Sequence, residues 1–144
     1  MKIEIRPLEI SDLEDLKEIT LRFSERVKSS FWTREIKNLM ERDPKGCLVA
    51  AVENKIVGFI IGGVREWQFG LEEGGWIEVV GVLPEYMGHG IGKRLSKALF
   101  EHFKSKKIKT VYTLCLWNSS SLIDYFASLG FERGNLINLV KKLE

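Results

Sequence analysis

From Lys2 to Leu8 apolar and polar residues alternate up to Pro7, the period-two pattern of a strand with one buried face. The period then changes. Leu13, Leu16, Ile19, Thr20 and Phe23 recur at helical spacing and Ser11 with Glu14 reads as a capping box, so a helix is predicted over 11–25. A second helix is predicted from about Thr33 to Arg42, stopping before Pro44 because a proline disfavours helical geometry in the residue before it. Residues 47–52 and 56–64 are apolar, β-branched runs joined by Glu53-Asn54-Lys55, the pattern of a tight hairpin. Residues 76–83 give a further strand, closed by Pro84. Ile91, Leu95, Leu99 and Phe103 then form a stripe of period four on a helix ending near Lys107. Residues 110–117 predict a strand and 120–129 a helix ended by Gly130. Residues 131–143 predict a last strand or a hairpin around Gly134-Asn135.

Early hairpins followed by a strand, helix, strand unit predict an α/β (α+β) fold: a mixed central sheet of six to seven strands with about four helices on its two faces. At 144 residues and 44% hydrophobic content, the chain fits one domain spanning 1–144. Its net charge of +2 carries no global signature of nucleic-acid binding, and Lys104, Lys106, Lys107 and Lys109 read as the cationic C-terminal end of a helix. No apolar stretch approaches the roughly 18 residues of a membrane span, and the start MKIEIRPLEI lacks the charged head and apolar run of a signal peptide. A cytoplasmic protein with no membrane or nucleic-acid partner is therefore expected. Cys47 and Cys115 lack metal-ligand spacing and lie in apolar runs, so both are expected as buried thiols and no metal site is expected.

The stretch YMGHGIGKRL, residues 86–95, places Gly88, Gly90 and Gly92 at alternate positions immediately before a basic helix. Its spacing fails the dinucleotide fingerprint, which needs two residues before its third glycine, and fails the P-loop, because Lys93 is followed by Arg94. What it shares with both is a glycine-rich turn opening a helix, where unpaired backbone N–H groups sit beside the positive end of the helix dipole. One or two glycines would suffice for a tight turn. Three alternating ones favour an anion such as a pyrophosphate, with Lys93 and Arg94 in reach of it or simply solvated.

Residues 79–92, VVGVLPEYMGHGIG, resemble the acyl-CoA-binding signature of the GNAT superfamily of N-acetyltransferases, and Asn118-Ser119-Ser120-Ser121 through Leu129-Gly130-Phe131 resembles its second conserved block. The order of predicted elements is also similar to that family over the whole length. The resemblance implies an acetyl-CoA-dependent enzyme that transfers an acetyl group to an amine, with acetyl-CoA as co-substrate. The cofactor would sit in a cleft between two splayed parallel strands. The backbone of Met87, Gly88, His89, Gly90, Ile91, Gly92 and Lys93 would hold the pyrophosphate, and Val80, Val82 and Asn118 the pantetheine arm. One departure stands out: the family usually has Arg or Gln where this chain has Met87. Gly81 would suit a bulge or a packing accommodation near the thioester.

Acetyl transfer to an amine requires a neutral amine, a polarised carbonyl and a proton for the departing thiolate. By the resemblance, Glu78, four residues before Val82 on the same strand face, is the candidate base, acting directly or through water. Its alternative is a rim carboxylate exposed to solvent or paired with a lysine, the amine then arriving already deprotonated as in several family members. His89 lies within the phosphate loop and reads as a loop residue rather than a base. The family's proton donor is a tyrosine on the helix of the second block. Counting forward from Asn118 reaches Tyr125, counting back from Gly130 reaches Phe126, and adjacent helix positions differ by roughly 100° in direction. Asn118 has an alternative role as a helix cap.

The acceptor site of such proteins is built from the first helices and the loop before the central strand. Here those segments supply Phe31, Trp32, Trp67, Phe69, Glu72, Glu73 and Trp76, an aromatic and acidic set that would attract a cationic amine of a small molecule or a protein, or else serve as core and a solvated turn. A homodimer would be in keeping with similar proteins, and a catalytically weak acyl-CoA sensor is the alternative to an enzyme.

Overall fold

The computed structural model describes residues 1–24, 30–66, 70, 72–116 and 118–144. They divide into two compact units, Met1–Leu114 and Cys115–Glu144. The first unit holds strands β1 (Glu4–Pro7), β2 (Cys47–Val52), β3 (Lys55–Arg65), β4 (Gly74–Val82) and β5 (Val111–Thr113), with helices α1 (Leu13–Leu21), α2 (Ser30–Arg42) and α3 (Ile91–Ser105). The second contains α4 (Ser120–Ser128).

Local chemistry explains the β2–β3 hairpin. Val52 pairs with Lys55 across Glu53-Asn54, and both turn residues have positive φ, 51° and 66°, the twist that lets a two-residue turn join right-twisted strands. The sheet runs β1-β2-β3-β4-β5 in chain order; its first three pairings are antiparallel, and β4 and β5 are parallel through the α3 crossover. This is the predicted mixed α/β architecture, with five strands among the described residues rather than six to seven.

Strand alternation sends helices to both faces. On one, Ile19 of α1 lies beside Phe59 and Gly81, where a Cβ on Gly81 would stand 3.0 Å from the Phe59 ring; Gly81 is thus a packing accommodation. On the other, the predicted stripe Ile91, Leu95, Leu99 and Phe103 is fully buried. Gly62 and Gly75 let this helix close on the sheet, since a Cβ at Gly62 would meet Leu99 Cδ2 at 2.8 Å and one at Gly75 the Phe103 ring at 2.5 Å. The helix ends with Lys107 in the left-handed region (φ 63°), its N–H bonded to the Lys104 carbonyl and that of Ile108 to the Phe103 carbonyl.

Three expectations are corrected. The predicted Ser11–Glu14 box is replaced by one two residues earlier: Asp12 accepts the Glu9 N–H at 2.8 Å while both its oxygens take a forked bond from Arg6, at 2.8 and 2.9 Å, so a 3-10 turn (Ile10–Asp12) precedes α1. The bulge near the thioester position falls at Glu78, where Ile77 pairs with Gly62 and Val79 with Ile61, leaving Glu78 as the extra residue. Residues 131–143 form no strand. A strand needs a ladder partner, and α4 is the one regular element described in the unit Cys115–Glu144.

In that unit α4 ends as its sequence predicts. Gly130 (φ 93°) gives its N–H to the Ala127 carbonyl and Phe131 to the Phe126 carbonyl, while the Phe126 and Phe131 rings meet edge to face at 5.3 Å.

Candidate active site

One hydrogen bond orients the end of β4. The Leu83 N–H bonds the Val57 carbonyl of β3 at 2.8 Å, so by strand alternation the peptide groups of Val80 and Val82 point to the opposite edge. On that edge β5 pairs with β4 only from Gly75 to Ile77, and Thr113 Oγ1 reaches back to the Ile77 carbonyl at 3.1 Å. Beyond Ile77 no strand among the described residues pairs with that edge, and the main-chain groups of Val80 and Val82 lie along it.

The chain then turns through a 3-10 helix (Pro84–Tyr86), with Tyr86 N–H bonded to the Leu83 carbonyl at 2.9 Å. Two side-chain contacts brace this turn: Glu85 pairs with Arg22 at the end of α1, and Lys55 of the hairpin lies over the Tyr86 ring, 5.6 Å from its centroid. Gly88 and Gly90 follow with φ of 83° and 78°, and a Cβ at either would meet nothing within 4 Å. Backbone conformation, not packing, demands these two glycines. Gly90 caps α3, its carbonyl taking the Arg94 N–H at 3.0 Å, and no side chain caps the helix in return. The first N–H groups of α3, including those of Ile91, Gly92 and Lys93, therefore face outward beside the positive end of the dipole. Met87, Gly88, His89, Gly90 and Lys93 are all exposed. Such a cradle fits a pyrophosphate, and it needs no side chain to do so.

Glu78 is half-buried and its carboxylate pairs with Arg65, a partner the sequence reading missed. The guanidinium also lies over the Trp76 ring at 5.2 Å, and its Nε is buried with no hydrogen-bond partner among the described residues. Trp76 is 3% exposed and stacks on Tyr112 at 5.0 Å, so its two ring faces meet protein. Of the other acceptor-side candidates, Phe31 is exposed at the start of α2, Trp32 is half-buried beside it, and Trp67 and Phe69 lie outside the described residues. Glu72 and Glu73 are exposed, and a hydrogen bond with Glu66 holds the Glu73 carboxyl above its ordinary range. No group of three or more His, Cys, Asp or Glu among the described residues is placed to hold a metal ion, and no described helix is long and apolar enough to cross a membrane.

In the unit Cys115–Glu144, Ser119 is the N-cap of α4 without a capping side-chain bond, and Asn118 precedes it. Tyr125 packs edge to face on Phe126 at 5.2 Å. Cys47 is buried as expected. Cys115 is exposed and lies past the end of β5, because the ladder that makes the strand stops at Thr113.

The acetyltransferase (GNAT) family profile matches residues 13–131. An "Uncharacterized N-acetyltransferase" of Archaeoglobus fulgidus is 30% identical over 107 residues, 69% of this chain and 73% of that protein. A mycothiol acetyltransferase of Renibacterium salmoninarum is 29% identical over 103 residues, which span 69% of this chain but 30% of that longer protein. Among solved structures, the aminoglycoside acetyltransferase AAC(6')-Iy in complex with a bisubstrate analog superposes with a TM-score of 0.84 at 16% identity, covering 99% of both chains. Ard1 from Thermoplasma volcanium gives 0.80 at 18%, covering 94% of this chain and 86% of its own. At such identities these two likenesses speak to the fold. The chain belongs to the GNAT family and is an acetyl-CoA-dependent N-acetyltransferase.

Proposed function

We propose that the chain acetylates a primary amine of a small molecule or a protein by direct attack within a ternary complex. The observation that carries this reading is the continuity of two main-chain surfaces: the β4 edge at Val80 and Val82 runs directly into the glycine-opened, uncapped start of α3. The N–H groups of residues 87–93 bind the pyrophosphate, and Val80 and Val82, with Asn118, hold the pantetheine arm. Acetyl-CoA, when bound, supplies the thioester whose acetyl carbon the amine attacks. The Val82 N–H polarises the carbonyl oxygen, Glu78 accepts the amine proton directly or through water, and returning a proton to the thiolate is the role that the family resemblance gives to Tyr125. Met87, in place of the family's Arg or Gln, weakens cofactor binding without abolishing it, because backbone groups do most of the holding.

The ion pair to Arg65 engages the Glu78 carboxylate, which supports a second reading as a slow enzyme or an acyl-CoA sensor. Calorimetric titration with acetyl-CoA, comparing the natural chain with Gly90→Glu, tests the cofactor site. Micromolar binding lost in the variant supports it, and absence of binding in the natural chain overturns both readings. A screen of amines by thiol release then separates enzyme from sensor.

A further inference from the structure

A cavity of about 140 Å³ opens beside β3 just before β2 begins. Leu39, Arg42 and Asp43 line it from the end of α2, Lys106 from the end of α3, and the Gly62–Val64 segment and Glu78 from the sheet. At roughly 30 Å³ per water it holds about five waters, enough for a carboxylate and two or three carbons.

Its charges are unequally engaged. Asp43 is buried and accepts His102 Nε2 at 2.8 and 3.0 Å and Lys106 Nζ at 3.3 Å, so its carboxylate is satisfied. Glu78 pairs with Arg65. Arg42 is exposed and has no ion-pair or hydrogen-bond partner among the described residues, and burial, then repulsion from the nearby Arg42, lowers the Arg65 guanidinium from its ordinary value. A cation lacking its counter-ion at the mouth of a small polar cavity is a site for an oxyanion, which a guanidinium can hold by two parallel hydrogen bonds. The two carboxylates in the same lining disfavour a dianion such as phosphate more than a monoanion.

We propose that Arg42 receives a carboxylate of the acceptor, so that the substrate is a compact amino acid whose amine reaches Glu78 across the same cavity. This rests on the transferase reading above, with Glu78 at the reacting amine. It reverses the expectation of a purely cationic acceptor, because the aromatic and acidic set named from the sequence does not line this cavity.

The test compares the common amino acids as free acids and as their amides, read by thiol release in the presence of acetyl-CoA and, separately, by saturation-transfer NMR binding. At least one free acid is expected to exceed its amide about tenfold or more in kcat/KM, the scale of a lost charged hydrogen bond. Arg42→Glu should erase that preference with KM for acetyl-CoA unchanged, and Arg42→Lys should restore part of it. Amides turned over as well as acids, or a preference that survives Arg42→Glu, overturns the inference while leaving the transferase reading intact. Acids that bind through Arg42 but release no thiol support the site and overturn the transferase reading instead. Failure of every acid to bind or react overturns the inference.

Discussion

His102 on α3 meets Asp43, 59 residues earlier in the chain, through Nε2 at 2.8 Å, with both side chains more than nine-tenths buried. The contact ties the end of α3 to the turn that feeds β2, and Lys106, just past that helix, brings its Nζ to the same carboxylate at 3.3 Å. Because His102→Ala removes a hydrogen bond to a buried carboxylate that still keeps Lys106, it should lower stability by about 2 kcal/mol. Denaturant unfolding of the two proteins measures this; a loss well under 1 kcal/mol would mean the pair contributes little.

Arg6 and Asp12 set an acid limit. The forked bond from Arg6 is the main reason the Asp12 carboxyl lies below its ordinary value near 3.8. A depressed folded-state pKa gives stability that is present above the unfolded value and lost as the pH falls through the folded one. Arg6→Ala should therefore cost about 1–2 kcal/mol at pH 7, and the gap from the natural protein should close progressively below about pH 4. Melting curves across pH 2–7 would show it, and a gap that does not depend on pH would refute this assignment.

Lys107 occupies a left-handed position that glycine adopts without steric cost. Lys107→Gly should stabilise the protein by up to about 1 kcal/mol and raise the melting temperature by about 2–4 °C. No gain would indicate that the added freedom of the unfolded chain cancels the relief of strain.

The two cysteines should differ in reactivity. Burial, then the nearby Asp43 carboxylate, pushes the Cys47 thiol up to about 12, whereas Cys115 is exposed. At pH 8 a thiol reagent should titrate one cysteine in the native protein and two after denaturation. Two equivalents reacting rapidly without denaturant would contradict the burial of Cys47.

Local signals predicted well what local forces decide. The β-branched run of β2 was legible from Cys47 to Val52, and the period-four stripe of α3 gave the buried face residue by residue. The glycines at 88 and 90 likewise advertise the backbone conformation they adopt. What stayed hidden depends on partners distant in sequence. Ser11 and Glu14 carry a cap signature, yet Arg6 selects Asp12. The end of β5 depends on how far β4 offers it a ladder, and the Arg65 pairing of Glu78 depends on the β3–β4 register. The cavity at Arg42 joins residues from two helices and two strands, so no window along the chain displays it.

The extra residue at Glu78 makes β4 a ruler with two separate scales. Side chains from Gly74 to Ile77 and from Val79 to Val82 keep their own in-and-out parity, and Glu78 is the joint at which the count restarts. Deleting this one residue would restore a regular ladder with Gly62–Ile77 and Ile61–Val79 still paired, so both halves of the strand would keep their faces. A single-codon loss there would thus spare the faces that α1 and α3 cover, whereas the loss of any paired residue of β4 would turn part of the strand over.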